Sequence, residues 1–118
     1  MFRDAVELCR EAAELAEQLD SIAIFYESCT LLAILLARQG RHERAAQVLG
    51  KRRALRDELG QPHEWFDHRV LPDAEERVRR GLSEESILEA MNVGALADVH
   101  QLLDSALRDA ELAASQPG

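Results

Sequence analysis

The feature that most constrains the fold is a nearly unbroken apolar segment. Residues 22–37 read IAIFYESCTLLAILLA, and only Glu27, Ser28 and Thr30 among them are polar. A helix that packs on one side shelters an apolar stripe only about 100° wide. This segment therefore predicts a central helix that is packed by neighbours on more than one side.

The composition indicates that these neighbours are helices too. Ala, Leu and Glu dominate the 118 residues, and all three favour helices. The length suffices for one modest hydrophobic core and is too short for two. We therefore predict a single all-α domain over residues 1–114, built from five to six helices in antiparallel hairpins. Residues 115–118 are expected to form a disordered tail.

The charge and the cysteine content exclude several classes of protein. A formal net charge of −8 argues against direct binding to nucleic acid or to an anionic membrane. The apolar segment is shorter than the roughly 20 residues that span a bilayer. Two cysteines and no signal peptide do not suggest a secreted disulfide framework, so we expect a cytoplasmic location.

The first helix is predicted over residues 4–19 from its apolar periodicity. Its buried stripe should consist of Ala5, Leu8, Ala12, Leu15 and Leu19. Ser21 is the expected N-cap of the central helix, and Gly40 is expected to end that helix in a left-handed conformation.

A third helix is predicted over residues 41–59. Its inward residues should be Ala45, Val48, Leu49, Leu55 and Leu59. Gly50 lies inside this helix, where glycine costs about 1 kcal/mol relative to alanine. We therefore expect another helix to approach closely at Gly50.

The second half of the chain predicts shorter helices. Trp65, Phe66 and Val70 suggest one of them, and residues 72–80 should form another that buries Ala74 and Val78. Ser83 should cap the next helix, with Leu82 and Ile87 spaced as a hydrophobic staple and an end near residues 93–94. Asp98 should cap a last helix, which inserts Val99, Leu102, Leu103, Ala106 and Leu107.

The first and third predicted helices match each other when the chain is shifted by forty residues. The matched pairs are Ala5 with Ala45, Leu8 with Val48, Cys9 with Leu49, Leu15 with Leu55 and Leu19 with Leu59. Two helices in one register, separated by an apolar helix, are typical of a helical-repeat solenoid. Chance similarity between helices rich in Ala and Leu is the competing explanation.

The spacing of large and small residues resembles the tetratricopeptide repeat. The residues that carry this resemblance are Leu32, Ala33, Leu36, Gly40, Ala45, Ala46 and Leu49. Arg52 and Cys29 depart from the family pattern, which usually has a small residue at the first position and often Trp at the second. The resemblance implies a short solenoid of stacked hairpins.

Residues 38–62 and 81–107 are similar to the C-terminal repeat region of bacterial LuxR-family and AfsR-like regulators, which also carry an ATPase module. This resemblance implies a non-enzymatic module for protein–protein interaction, signal transduction and transcription regulation, and it implies a fragment or small relative without the ATPase. The tetratricopeptide-like repeat alignment implies an inner groove, in which such repeats typically hold a protein or peptide partner, lined by Glu27, Thr30, Ile34 and Arg38.

Basic residues are concentrated in the third predicted helix. Arg44, Lys51 and Arg52 are expected to lie away from its apolar stripe, and Arg41 precedes them at the turn. The complete predicted face contains Arg41, Arg44, Lys51, Arg52 and Arg56. It is either a solvated or salt-bridged surface or a docking face for an acidic partner.

No motif indicates catalysis, and we predict no catalytic residue, metal or cofactor. His63 and His68 are five residues apart, which places their rings about 140° apart around a helix. They therefore do not face one metal. Cys9 and Cys29 are expected to be buried free thiols, with a redox pair across the hairpin as the alternative.

Two expectations concern partners. A short array leaves its first helix without a neighbour, so we expect a homodimer that covers the side with Phe2, Val6 and Cys9. The alternative function is a small-molecule effector sensor, whose pocket would lie near Tyr26, Trp65 and Phe66.

Overall fold

The computed structural model describes residues 2–60 and 70–115, which form six α-helices and no strand. The helices are α1 (Arg3–Leu19), α2 (Ile22–Arg38), α3 (His42–Leu59), α4 (Val70–Gly81), α5 (Glu84–Leu96) and α6 (Val99–Ser115). The all-α prediction is confirmed. The short helix expected around Trp65 and Phe66, and most of the expected tail, lie outside the described residues.

Helix α2 is the centre of the molecule. It packs against α1, α3, α4 and α6, and every residue from Phe25 to Thr30 is buried. The side chains of Leu32 and Leu36 are almost completely enclosed, and burying one leucine stabilises the fold by about 1.5–3 kcal/mol. The prediction of a helix packed on several sides is confirmed. None of the described helices is long and apolar enough to cross a membrane.

The residues predicted to cap or end the helices do so in the structure. The Ser21 hydroxyl accepts a hydrogen bond of 3.3 Å from the Ile24 amide, and Gly40 follows α2 with φ +78°. Ser83 and Asp98 cap α5 and α6, each through a hydrogen bond of 3.1 Å. These short polar side chains satisfy amides that have no partner within their own helix.

Helices α3 and α5 approach each other through two glycines. A Cβ on Gly50 would collide with the backbone of Met91, and a Cβ on Gly94 would collide with the backbone of Gln47. The close approach predicted at Gly50 is confirmed. Helix α5 ends at Leu96, two residues beyond the predicted end, because Gly94 serves the contact with α3.

Helix α4 carries a proline in its first turn. Pro72 is its third residue, a position where the missing amide proton breaks no helical hydrogen bond. The predicted burial of Ala74 and Val78 is confirmed. Helix α4 packs against α2, α3 and α5.

Helix α6 returns to the start of the chain. It packs against α1, α2 and α3, and it buries Leu102, Leu103, Ala106 and Leu107 as predicted. Ser115, expected in the tail, is the last residue of this helix. The first and last described helices are therefore in contact.

The prediction for the buried side of α1 is wrong. Leu8, Leu15 and Leu19 are 54%, 46% and 60% exposed. The buried residues of α1 are instead Val6, Cys9, Ala13 and Ala16. Because these side chains are small, they allow close contact with α2 and α6, whereas no described helix lies over the leucines.

Candidate functional site

The exposed side of α1 carries an apolar row with coiled-coil spacing. This leucine stripe consists of Ala5, Leu8, Ala12, Leu15 and Leu19, separated by alternating intervals of three and four residues. Such intervals keep one seam of a helix facing a partner helix. Contiguous apolar patches on a soluble surface mark interaction sites. The stripe therefore has the geometry of a helix-binding surface.

One edge of the leucine stripe is acidic. At about 100° per residue, Asp4 and Glu11 lie beside the stripe on the side opposite the core. Glu7 and Glu14 continue this acidic edge, and all four side chains are exposed. Glu7 also accepts a 2.7 Å hydrogen bond from Arg10. The surface next to the leucines is therefore negative.

An apolar groove of about 500 Å³ continues from the stripe between α1 and α2. Its lining includes Ala5 and Leu8, so that groove and stripe form one surface. The other lining residues are Phe2, Cys9, Leu31, Ile34, Leu35, Arg38 and Arg77. Val6 and Cys9, which were expected to need a second copy as cover, are already buried within the chain.

The four predicted groove residues occupy two environments. Ile34 and Arg38 line the open groove. Glu27 and Thr30 are buried, and the Thr30 hydroxyl donates a 3.1 Å hydrogen bond to the Tyr26 carbonyl. The proposed contact of these residues with a partner stays a prediction.

Arg52 occupies the interior. Its guanidinium donates hydrogen bonds of 2.7 Å to the Thr30 hydroxyl and 2.6 Å to the Tyr26 hydroxyl, and it lies 4.7 Å from the Tyr26 ring centroid. The prediction that Arg52 lies away from the apolar stripe is wrong. Its spacing from Val48 and Leu55 puts it on their face, and Tyr26 and Thr30 in the apolar helix were the signal that was missed.

Two other residues of the predicted basic face have partners within the chain. Arg44 forms a 2.7 Å ion pair with Asp109, and the Lys51 ammonium donates to the Ala95 carbonyl at 3.0 Å. Arg41 is half-buried and Arg56 is exposed. The five residues are thus divided between internal contacts and the surface, and docking of an acidic partner stays a prediction.

A second cavity, of about 270 Å³, lies between α3, α4 and α5, and we call it the arginine pocket. Its charged residues are Arg52, Arg53, Arg56, Arg79 and Glu75, and its apolar residues are Leu49, Leu71, Val78, Ile87 and Met91. Arg52 and Arg56 belong to the predicted basic face. Arg79 does not, because α4 brings it in from a distant part of the chain.

Both cysteines are free and buried, as predicted. Burial raises the pKa of the Cys9 thiol to about 12. It raises the pKa of Cys29 to about 12 as well, although the charges of Lys51 and Arg52 act in the opposite direction. A thiol with such a pKa is a poor nucleophile at neutral pH, because the reactive form is the thiolate.

Two predicted features can be placed only in part. Tyr26 is buried, but Trp65 and Phe66 of the expected effector pocket lie outside the described residues, as do His63 and His68. Within residues 2–60 and 70–115, no three His, Cys, Asp or Glu side chains are arranged to hold a metal ion.

Comparisons with protein families, with curated proteins and with solved structures find no match for this chain.

Proposed function

We propose that this protein is a non-enzymatic interaction module that binds an amphipathic helix of a partner protein along the leucine stripe of α1. The observation that carries the proposal is a seam with coiled-coil spacing that remains exposed, with three leucines about half exposed or more. The adjoining groove extends the same apolar surface.

The internal repeat supports this proposal. The residues of α3 that match the stripe are Ala45, Val48, Arg52, Leu55 and Leu59. In α3 this row faces the preceding helix, because Arg52 at its centre bonds to Tyr26 and Thr30 of α2. The stripe of α1 has the same spacing, and no helix among the described residues lies over it. A partner helix on the stripe would occupy the place that α2 occupies on α3.

This relationship is what a tetratricopeptide-like arrangement of α1, α2 and α3 would produce, with α6 closing the other side of α1. We therefore propose such a hairpin arrangement for the first half of the chain. The resemblance stated above supports a place in a bacterial LuxR-family or AfsR-like transcriptional regulator in the cytoplasm. Partner binding would then favour one state of the regulator over another.

The acidic edge selects the partner. Asp4 and Glu11 would lie beside the docked helix, so that lysine or arginine at its flanking positions would be attracted. A second copy is disfavoured, because each copy carries a net charge of −8 and antiparallel pairing would oppose the two acidic edges. The partner we propose is therefore a basic amphipathic helix rather than the homodimer expected from the sequence.

The test uses a synthetic helix of about four heptads, with leucine at positions a and d and lysine at e and g. Fluorescence anisotropy of the labelled peptide measures its affinity for the protein. We expect binding that weakens with added salt. We expect the triple variant Leu8→Gln, Leu15→Gln, Leu19→Gln to bind about 30-fold or more weakly, since it removes the central apolar contacts.

A matched triple variant controls for lost surface hydrophobicity. Leu88, Val93 and Leu96 of α5 are also exposed but do not share one stripe, and their replacement by Gln should leave the affinity unchanged. Equal binding of the stripe variant and the wild type would contradict the proposal. Equal binding of a peptide with glutamate at e and g would also contradict it. Dimerisation that the stripe variant abolishes would assign the stripe to a second copy instead.

A further inference from the structure

We infer that the arginine pocket binds a small organic anion, in which one carboxylate or phosphate group is joined to a short apolar body. The pocket is formed by α3, α4 and α5 and shares no residue with the leucine stripe. The inference is therefore independent of the proposed helix docking.

The residues that line the pocket are mainly positive. They include four arginines and one acidic residue, Glu75. Within the described part of the chain, neither Arg53 nor Arg56 has a carboxylate within ion-pair distance, whereas Arg79 lies 3.7 Å from Glu76. Planar guanidinium groups bind carboxylates and phosphates through paired hydrogen bonds. The pocket thus presents cations that the described residues leave uncompensated.

Arg52 is buried beside the pocket. Its hydrogen bonds go to two hydroxyl groups, and it is only 9% exposed. No carboxylate among the described residues lies within ion-pair distance of it. Burying a charge is costly unless an anion compensates it. An anion in the adjoining pocket would reduce this cost, because it would place negative charge beside Arg52.

The pocket also has an apolar wall. Leu71 and Val78 are buried, and Leu49, Ile87 and Met91 are partly buried. An inorganic anion would leave this wall in contact with water, whereas an aliphatic chain or a single ring would cover it. The volume of about 270 Å³ lies just below the usual range for drug-sized ligands. The ligand is therefore small and carries both an oxyanion and an apolar part.

The test is titration calorimetry of the full chain with octanoate as the probe. We expect measurable binding of octanoate, at least about tenfold weaker binding of acetate, and none of octylammonium. Octyl phosphate in place of octanoate distinguishes the two headgroups. The variant Arg53→Gln, Arg56→Gln should bind octanoate at least about tenfold more weakly, since it removes two charged hydrogen-bond donors.

Two control variants change the net charge by the same amount. Arg80→Gln, Arg108→Gln removes exposed arginines outside both cavities, and its affinity should stay within about twofold of wild type. Arg38→Gln, Arg77→Gln removes the arginines of the groove beside α1. The inference would be overturned if Arg38→Gln, Arg77→Gln lost octanoate binding while Arg53→Gln, Arg56→Gln retained it. Failure of both octanoate and octyl phosphate to bind wild-type protein would overturn it as well.

Discussion

Helices α1 and α3 share one apolar pattern but differ in what covers it. Leu15 is 46% exposed, whereas the matched Leu55 is 6% exposed. The row that contains Leu55 packs on α2, and the opposite side of α3 packs on α5. Helix α1 turns a different face, made of small residues, toward α2 and α6. The burial of a stripe therefore depends on the available neighbours as well as on its spacing.

Two matched positions show the same difference between α1 and α3. The position in α1 that matches Gly50 is Arg10, which forms ion pairs with Glu7 and with Glu111 of α6. Gly50 allows α5 to approach α3, but a long side chain at the matched position in α1 excludes a similar approach. The position that matches Arg52 is Ala12. Helix α1 therefore lacks both the glycine contact and the buried arginine of α3.

The largest effect is expected from a change in α2, because both α1 and α3 pack against it. Leu32 of α2 is 1% exposed, and Leu32→Asp would place a carboxylate in the core. We expect the variant to lose its cooperative thermal transition. Circular dichroism during heating measures this, with the exposed Leu88→Asp as the control. A melting temperature of Leu32→Asp within a few degrees of wild type would contradict the central role of α2.

A matched pair of leucines tests whether α1 and α3 differ in how well they are covered. Leu55→Ala should destabilise the protein by about 2–5 kcal/mol, because it creates a cavity between packed helices. Leu15→Ala should cost less than about 1 kcal/mol, because little buried area is lost. Urea denaturation of both variants gives the two free energies of unfolding. Equal losses would mean that α1 and α3 are equally covered.

The glycine contact provides a second matched pair. Gly50→Ala places a methyl group against the backbone of Met91, and we expect a loss of about 1–3 kcal/mol despite the better helix propensity of alanine. Arg10→Ala at the matched position removes only partly exposed ion pairs, and it should cost about 0–1 kcal/mol. Chemical denaturation compares the two. A Gly50→Ala variant as stable as wild type would show that α5 can move away without cost.

The cysteines give a smaller and pH-dependent effect. The pKa of both buried thiols is raised from 9.0 to about 12, so the folded state retains protons that the unfolded state releases. Their contribution to stability is therefore complete below about pH 9 and decreases as the pH rises toward 12. Denaturation curves between pH 7 and pH 10 measure the decrease, which should be smaller in Cys29→Ala. Rapid labelling of both thiols in the native protein would contradict their burial.

Local sequence signals predicted much of the fold. Ser21, Gly40, Ser83 and Asp98 act within one helical turn, so their roles could be assigned without tertiary information. The apolar composition of α2 also predicted its central position, because a helix with so little polar surface must be covered on several sides. The face of α1 could not be predicted, because the leucine row is the more hydrophobic one and close packing favoured the small residues instead.

The candidate sites were predicted less well than the fold. The leucine stripe was identified as a pattern but was expected to be buried. Arg52 and Arg56 were singled out as basic residues, but their pocket also requires Arg79 and Glu75 from α4. Such a combination depends on helix packing and has no signal in local spacing.

The most direct measurement is a map of backbone amide NMR shifts during titration with the lysine-flanked peptide. If the uncovered stripe is the docking surface, the largest shift changes will lie in residues 4–19, with little change in α3. Shift changes concentrated in α3 or α5, or spread evenly over the molecule, would contradict the difference between the two helices.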